Sequence, residues 1–168
     1  VKDENHNYLI THAIIRNNIE IVKILLNKGV KIDILDQEGK TILYLPIKYG
    51  YDKILKLLLD YDKNIYEPHI NIVDLKDSQN NIPLHYAILF KNIFAITELL
   101  EDNSDTNASD NNGNTSLHLS IYSKNYEICD KIIKKGVNIN SVTTIGESGL
   151  HIACNLKLYK IAKLLLEH

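Results

Sequence analysis

His85, His118 and His151 stand 33 residues apart, each inside the same short pattern. The chain reads Ile82-Pro83-Leu84-His85-Tyr86-Ala87, then Thr115-Ser116-Leu117-His118-Leu119-Ser120, then Ser148-Gly149-Leu150-His151-Ile152-Ala153. A second apolar run follows each of them, at Ile96 to Leu100, Ile128 to Ile133 and Ile161 to Leu166. The phase continues backwards, because Asp36-Gln37-Glu38-Gly39-Lys40-Thr41 opens a further copy and Ile21-Val22-Lys23-Ile24-Leu25-Leu26 closes the copy before it. A period of this length argues against one closed core. It calls for a row of small units, each unable to bury its own apolar face, stacked so that neighbours cover one another.

Within a unit the apolar spacing predicts two short helices, as in Leu117 and Ile121 followed by Ile128, Ile132 and Ile133. Stretches such as Asp110-Asn111-Asn112-Gly113-Asn114 favour tight turns between units. Thr41 and Thr115 stand where a helix N-cap is wanted, and Pro83 suits a first helical turn, where its missing N–H costs nothing. Gly29 and Gly136 follow second helices as left-handed C-caps, and Asn103 takes that place in the third copy.

These residues resemble the ankyrin-repeat family in period and in the T-P-L-H-x-A signature. The resemblance covers essentially the whole chain and implies an all-α solenoid of helix-turn-helix units joined by hairpin-like loops. The register predicts a single array over 1–168, with repeats at 3–35, 36–76, 77–109, 110–142 and a truncated 143–168. Some features depart from the family pattern. Tyr8-Leu9-Ile10-Thr11-His12-Ala13 stands in for the signature in the first copy, and Pro46 is expected to kink or shorten the first helix of the second. About eight extra residues near 64–71 predict an enlarged loop, and Lys91, Lys124 and Lys157 replace the glycine that usually joins the two helices.

Composition narrows the function. Lys+Arg 19 against Asp+Glu 21 gives a net charge of -2, with no basic patch in the sequence for nucleic acid or an anionic membrane. No apolar run approaches the roughly 18 residues of a membrane span. Two cysteines are too few for a secreted disulfide framework, which points to a reducing, intracellular and cytoplasmic setting, including a host cell's cytoplasm or nucleus. Neither a phosphate-cradling glycine loop nor a nucleophile elbow occurs, so no catalytic residue, cofactor, metal or small-molecule substrate is expected. The histidines are expected to hold nearby backbone, and Cys129 and Cys154 to be inward-facing buried thiols.

What remains is a surface for a protein. The resemblance implies partner contacts at the exposed end of each first helix and at the loop tips. On this chain the helix-end positions are Ile15 and Arg16, Lys48 and Tyr49, Leu89 and Phe90, Tyr122 and Ser123, Asn155 and Leu156. The loop-tip positions include Glu4, Asn5 and Asn7; Gln37, Glu38 and Lys40; Ser78, Gln79 and Asn81; Asn111, Asn112 and Asn114; Thr144, Ile145 and Glu147. Tyr49, Leu89, Phe90, Tyr122 and Leu156 are expected to form an exposed aromatic and apolar row, although Leu89 and Phe90 packing on a neighbouring loop is the bland alternative. The expected function is a non-enzymatic protein-binding module. The A/T-rich codon bias behind frequent Asn, Ile and Lys also resembles ankyrin proteins of large DNA viruses or intracellular parasites, many of which are adaptors or inhibitors of host factors. The alternative is a regulatory or substrate-recruiting segment of a larger enzyme or ubiquitin-ligase adaptor. Leu164, Leu165 and Leu166 predict an uncovered apolar edge, as if the array continued or had been cut; Leu166-Glu167-His168 also matches the start of an expression tag.

Overall fold

In the computed structural model, residues 9–64 and 71–168 are described. Each couplet of apolar runs folds as a pair of antiparallel helices. The pairs are α1 (Leu9–Ile15) with α2 (Ile19–Asn27), α3 (Tyr44–Tyr49) with α4 (Asp52–Asn64), α5 (Pro83–Leu89) with α6 (Ile93–Glu101), α7 (Ser116–Tyr122) with α8 (Tyr126–Lys134), and α9 (Gly149–Asn155) with α10 (Tyr159–Leu166). First helices pack on first helices and second on second: α5 lies between α3 and α7, while α6 meets α4. Helices this short are marginal alone, so their stability comes from burial between layers. Ile54, Leu55, Leu58, Ile82, Leu84, Ile88, Leu99, Leu117, Ile121 and Ile128 are fully enclosed and run as one core along the array.

The local signals explain where helices begin. Pro83 occupies the first position of α5. Thr115 and Ser148 open α7 and α9 as capping boxes, in which each backbone N–H donates to Nδ1 of the histidine three residues on, at 3.1 and 3.2 Å. With Nδ1 accepting, the His118 ring proton lies on Nε2, which donates to the Ser141 carbonyl at 3.1 Å; His85 Nε2 meets the Ala108 carbonyl at the same distance. These histidines therefore tie one unit to the connection that leads into the next, and burial lowers the pKa of both. Asn18, Asn92 and Asn125 cap the second helices through their side-chain oxygens.

Between pairs the chain makes hairpins closed by single antiparallel bridges, Leu35 with Thr41, Ser109 with Thr115 and Val142 with Ser148. Asp36, Asp77 and Asp110 each accept two tip N–H groups on Oδ1, from the second and fourth residues beyond, at 2.7 to 2.9 Å. Neighbouring tips are then sewn together by backbone bonds, Ser78 N to Gly39 O at 3.0 Å, Asn111 N to Gln79 O at 3.2 Å and Thr144 N to Asn112 O at 2.9 Å.

Several sequence expectations need correction. Thr41 is not an N-cap: α3 starts at Tyr44, and the buried Thr41 hydroxyl has no hydrogen-bond partner. A helix capped by Thr41 would bring the Pro46 ring against the Ile42 carbonyl; starting at Tyr44 moves Pro46 into the first turn, where no N–H is needed. Proline thus shortens the helix from its beginning. The extra residues of the second unit are not all loop, because α4 runs 13 residues to Asn64 where α2, α6 and α8 have 9, and a 3-10 turn covers Ile72–Asp74. The remaining loop residues, 65–70, lie outside the described residues, as do Glu4, Asn5, Asn7 and Tyr8. Cys129 is buried, but Cys154 is exposed, at the position that Ile88 and Ile121 hold buried in α5 and α7. At the same end Leu164 and Leu165 are buried and only Leu166 is bare.

Glycine is required where neighbouring hairpin tips meet, at Gly39, where a Cβ would stand 2.7 Å from the Ser78 Cβ, and at Gly113. Gly113 has φ +73°, and a Cβ there would stand 2.7 Å from the Thr144 backbone nitrogen of the next tip. Gly29, with φ +72°, faces open space. Gly29→Ala should cost about 1 kcal/mol, the left-handed penalty alone. Gly113→Ala should cost roughly twice that or more, because it also pushes two tips apart. Urea unfolding of the two variants measures the difference.

Candidate partner-binding groove

The hairpins and the first helices line one side of the stack. Near its middle an open depression of about 450 Å3 is framed by Tyr44, Tyr86, Leu89 and Leu119 from the helices and by Gln79, Asn81 and Asn112 from the tips. Tyr44 is the hinge of its floor. Its ring meets Tyr86 edge-on at 4.9 Å and Phe90 at 5.9 Å, while Lys40 and Lys48 sit over it at 5.6 and 5.5 Å. Edge-to-face rings and cation contacts of this kind hold side chains in fixed orientations.

Under the floor lies a buried carboxylate. Asp77 Oδ2 accepts from Lys40 Nζ at 2.8 Å and from the Tyr86 hydroxyl, while Oδ1 takes the N–H groups of Gln79 and Asn81. Burial on its own would push this acid up. The bonds from Lys40, Tyr86 and the two backbone groups outweigh it and hold Asp77 at about 2. Burial and the facing carboxylate push Tyr86 the other way, well above the usual phenol range. Asp77, depressed in the fold, contributes stability above its unfolded value and loses it as pH falls through its folded value.

The helix-end positions do not form one uniform row. Tyr49, Leu89 and Tyr122 are exposed, at 55%, 65% and 44%, and Tyr49 stacks on Tyr51 at 5.6 Å. Phe90 and Leu156 are instead half-buried against the core, Phe90 because it packs beside Tyr44. Arg16, Lys48 and Asn155 are exposed, and Ile15 is half uncovered. Among the tips, Gln37, Glu38, Asn111 and Asn112 face outward, whereas Lys40, Asn81 and Asn114 are partly withdrawn. Lys40 and Asn81 hold Asp77, and Asn114 Nδ2 donates to Asp110 at 3.0 Å. Sequence reasoning missed Asp36, Asp77 and Asp110 as organisers of the tips. An aspartate two and four residues ahead of turn donors was the available signal.

The remaining chemistry is sparse. Among the described residues no group of three or more His, Cys, Asp and Glu side chains converges as a metal site, and no helix is long and apolar enough to cross a membrane. Burial raises the pKa of the Cys129 thiol, which keeps it protonated.

With this geometry in place, comparison with known proteins is specific. A family pattern described as "Ankyrin repeats (3 copies)" matches residues 1–69, 63–143 and 84–168. The chain belongs to the ankyrin-repeat family, whose members are protein-interaction modules and generally not enzymes. Over 107 residues it is 40% identical to an ankyrin repeat protein of Acanthamoeba polyphaga mimivirus, covering 64% of this chain and 14% of that protein. Over 106 residues it is 33% identical to one of fowlpox virus, covering 62% of this chain and 17% of that protein. It is 29% identical over 98 residues to the nuclear factor NF-kappa-B p105 subunit of Gallus gallus, covering 58% of this chain and 10% of that one. The chain thus spans less than a fifth of the length of each of these relatives.

Asp77→Asn tests the floor of the groove. The parent chain should lose up to about 2 kcal/mol of stability as pH falls from roughly 4 to 2. The variant should be less stable at neutral pH and lack that part of the pH dependence. Thermal melts followed by circular dichroism across this range read both.

Proposed function

We propose that the chain is a non-enzymatic adaptor module that grips one partner protein in this groove, as a single array with the repeat boundaries given above. The observation that carries the reading is the line of Tyr49, Leu89 and Tyr122, uncovered on three successive first helices and bordered by neutral amides at the tips. Rigid tyrosines are frequent anchors of protein interfaces, and amides suit the hydrogen-bonding rim. Arg16, Lys48 and Asn155 extend the contact to either side, with Gln37, Glu38, Asn112 and, through their outer atoms, Lys40, Asn81 and Asn114.

The viral relatives favour a host factor as the partner and the interior of the host cell as the place of action. A second reading, a regulatory or substrate-recruiting segment of a larger enzyme or ubiquitin-ligase adaptor, is favoured by the much greater length of the relatives.

The test is capture of the partner from native-cell extract by the parent chain and by a Tyr49→Ala, Leu89→Ala, Tyr122→Ala variant. The variant should bind at least about tenfold less, a loss of roughly 1.4 kcal/mol or more. Its Tm should stay within a few degrees, since all three side chains are largely exposed. Undiminished capture by a folded variant overturns the groove assignment.

A further inference from the structure

Six non-glycine residues among those described hold a left-handed backbone: Asn17, Asn80 and Asn103, and Lys91, Lys124 and Lys157 at φ 53°, 56° and 57°. Asparagine is a common choice there after glycine; lysine has no local hydrogen bond to offset the close approach of its Cβ to the backbone. The three lysines share one structural place, the turn that joins the two helices, in three consecutive pairs. A/T-rich codons encode asparagine as readily as lysine, so composition does not account for the choice. Strain repeated at one position of the unit points to a group being kept for what it does there. The dipoles of α5, α7 and α9 favour a cation just past their C-termini, which explains tolerance of lysine over other side chains but not its preference over glycine.

Pairing gives an independent observation. On the second helices Lys23, Lys56, Lys63, Lys134 and Lys163 each have a carboxylate within 4.0 Å, while Lys53, Lys131 and Lys160 make no ion pair among the described residues. At the joints of the last three pairs Lys91, Lys124 and Lys157 are exposed and make no ion pair among the described residues, and Lys160 adds a second exposed cation at the fifth joint. In the chain, Glu127 follows the fourth joint, while the third and fifth joints, residues 90–94 and 156–160, carry no acid. Folding therefore builds a basic edge on a chain whose net charge is -2.

The spacing selects the partner. Packed helices stand roughly 8–10 Å apart, and an extended chain advances about 3.3 Å per residue. One cation per pair thus matches one carboxylate every third residue of an extended strand. Duplex nucleic acid carries a charge about every 1.7 Å, far denser than this row can answer.

We propose that the joint edge binds an extended acidic polypeptide segment of the partner, with carboxylates at every third residue, running beside the aromatic groove. The proposal rests on the groove reading for the existence of a partner, but the two are tested by different side chains and different probes. The probe here is a fluorescein-labelled peptide of Glu-Ser-Gly repeats, followed by anisotropy, with a Lys-Ser-Gly peptide, an oligothymidylate and phosphatidylserine vesicles as comparisons.

The acidic peptide should bind the parent chain and weaken at least about tenfold between roughly 0.05 and 0.5 M salt. Lys91→Gly, Lys124→Gly, Lys157→Gly together should lose at least about tenfold in affinity while Tm holds or rises, because glycine relieves the left-handed strain. The matching Lys→Arg variant should retain binding. Undiminished peptide binding by the glycine variant, a marked fall in its Tm, or tighter binding of the oligonucleotide or the vesicles would each overturn the proposal. Such a result with continued loss of partner capture by the Tyr49, Leu89 and Tyr122 variant leaves the groove reading standing.

Discussion

Everything in this molecule depends on one constraint: a single helix pair cannot cover its own apolar face. The solution is lateral, so that α5 is sealed by α3 and α7 while α4 and α6 close the outer layer. Ion pairs such as Lys56 with Glu98 and Lys63 with Asp102, and the Lys135 bond to the Leu100 carbonyl, span adjacent pairs but sit over a contact that burial has already made.

A second level of order links the hairpin tips. Their backbone bonds from tip to tip, together with His85 and His118 reaching toward connecting carbonyls, make the loops part of the rigid scaffold. This matters for binding, since a surface that is already ordered gives up less entropy on association. Asp77 is the local example: by holding Lys40, Tyr86 and two backbone groups together, it fixes the rings of Tyr44 and Tyr86 that floor the groove. The function then divides by face. The hairpin side offers shape and neutral hydrogen bonding, and the joint edge offers charge.

The sequence by itself determined the period, the helix pairs and the left-handed helix ends, because these rest on local rules: apolar spacing within a unit, proline in a first turn, glycine or asparagine where φ must be positive; it misplaced the cap at Thr41 and missed those at Asn18, Asn92 and Asn125. It located the helix-end positions and the tips for the same reason. Only the tertiary structure decided which of them are free. Phe90 is withdrawn beside Tyr44, Leu156 packs against the core, and Lys40 is committed to Asp77, 37 residues away. The start of α3 likewise depended on how Pro46 could be accommodated. Net charge summed along the chain concealed the basic edge. Three lysines one repeat apart are unremarkable in sequence, and stacking of the pairs brings the turns that carry them to one edge.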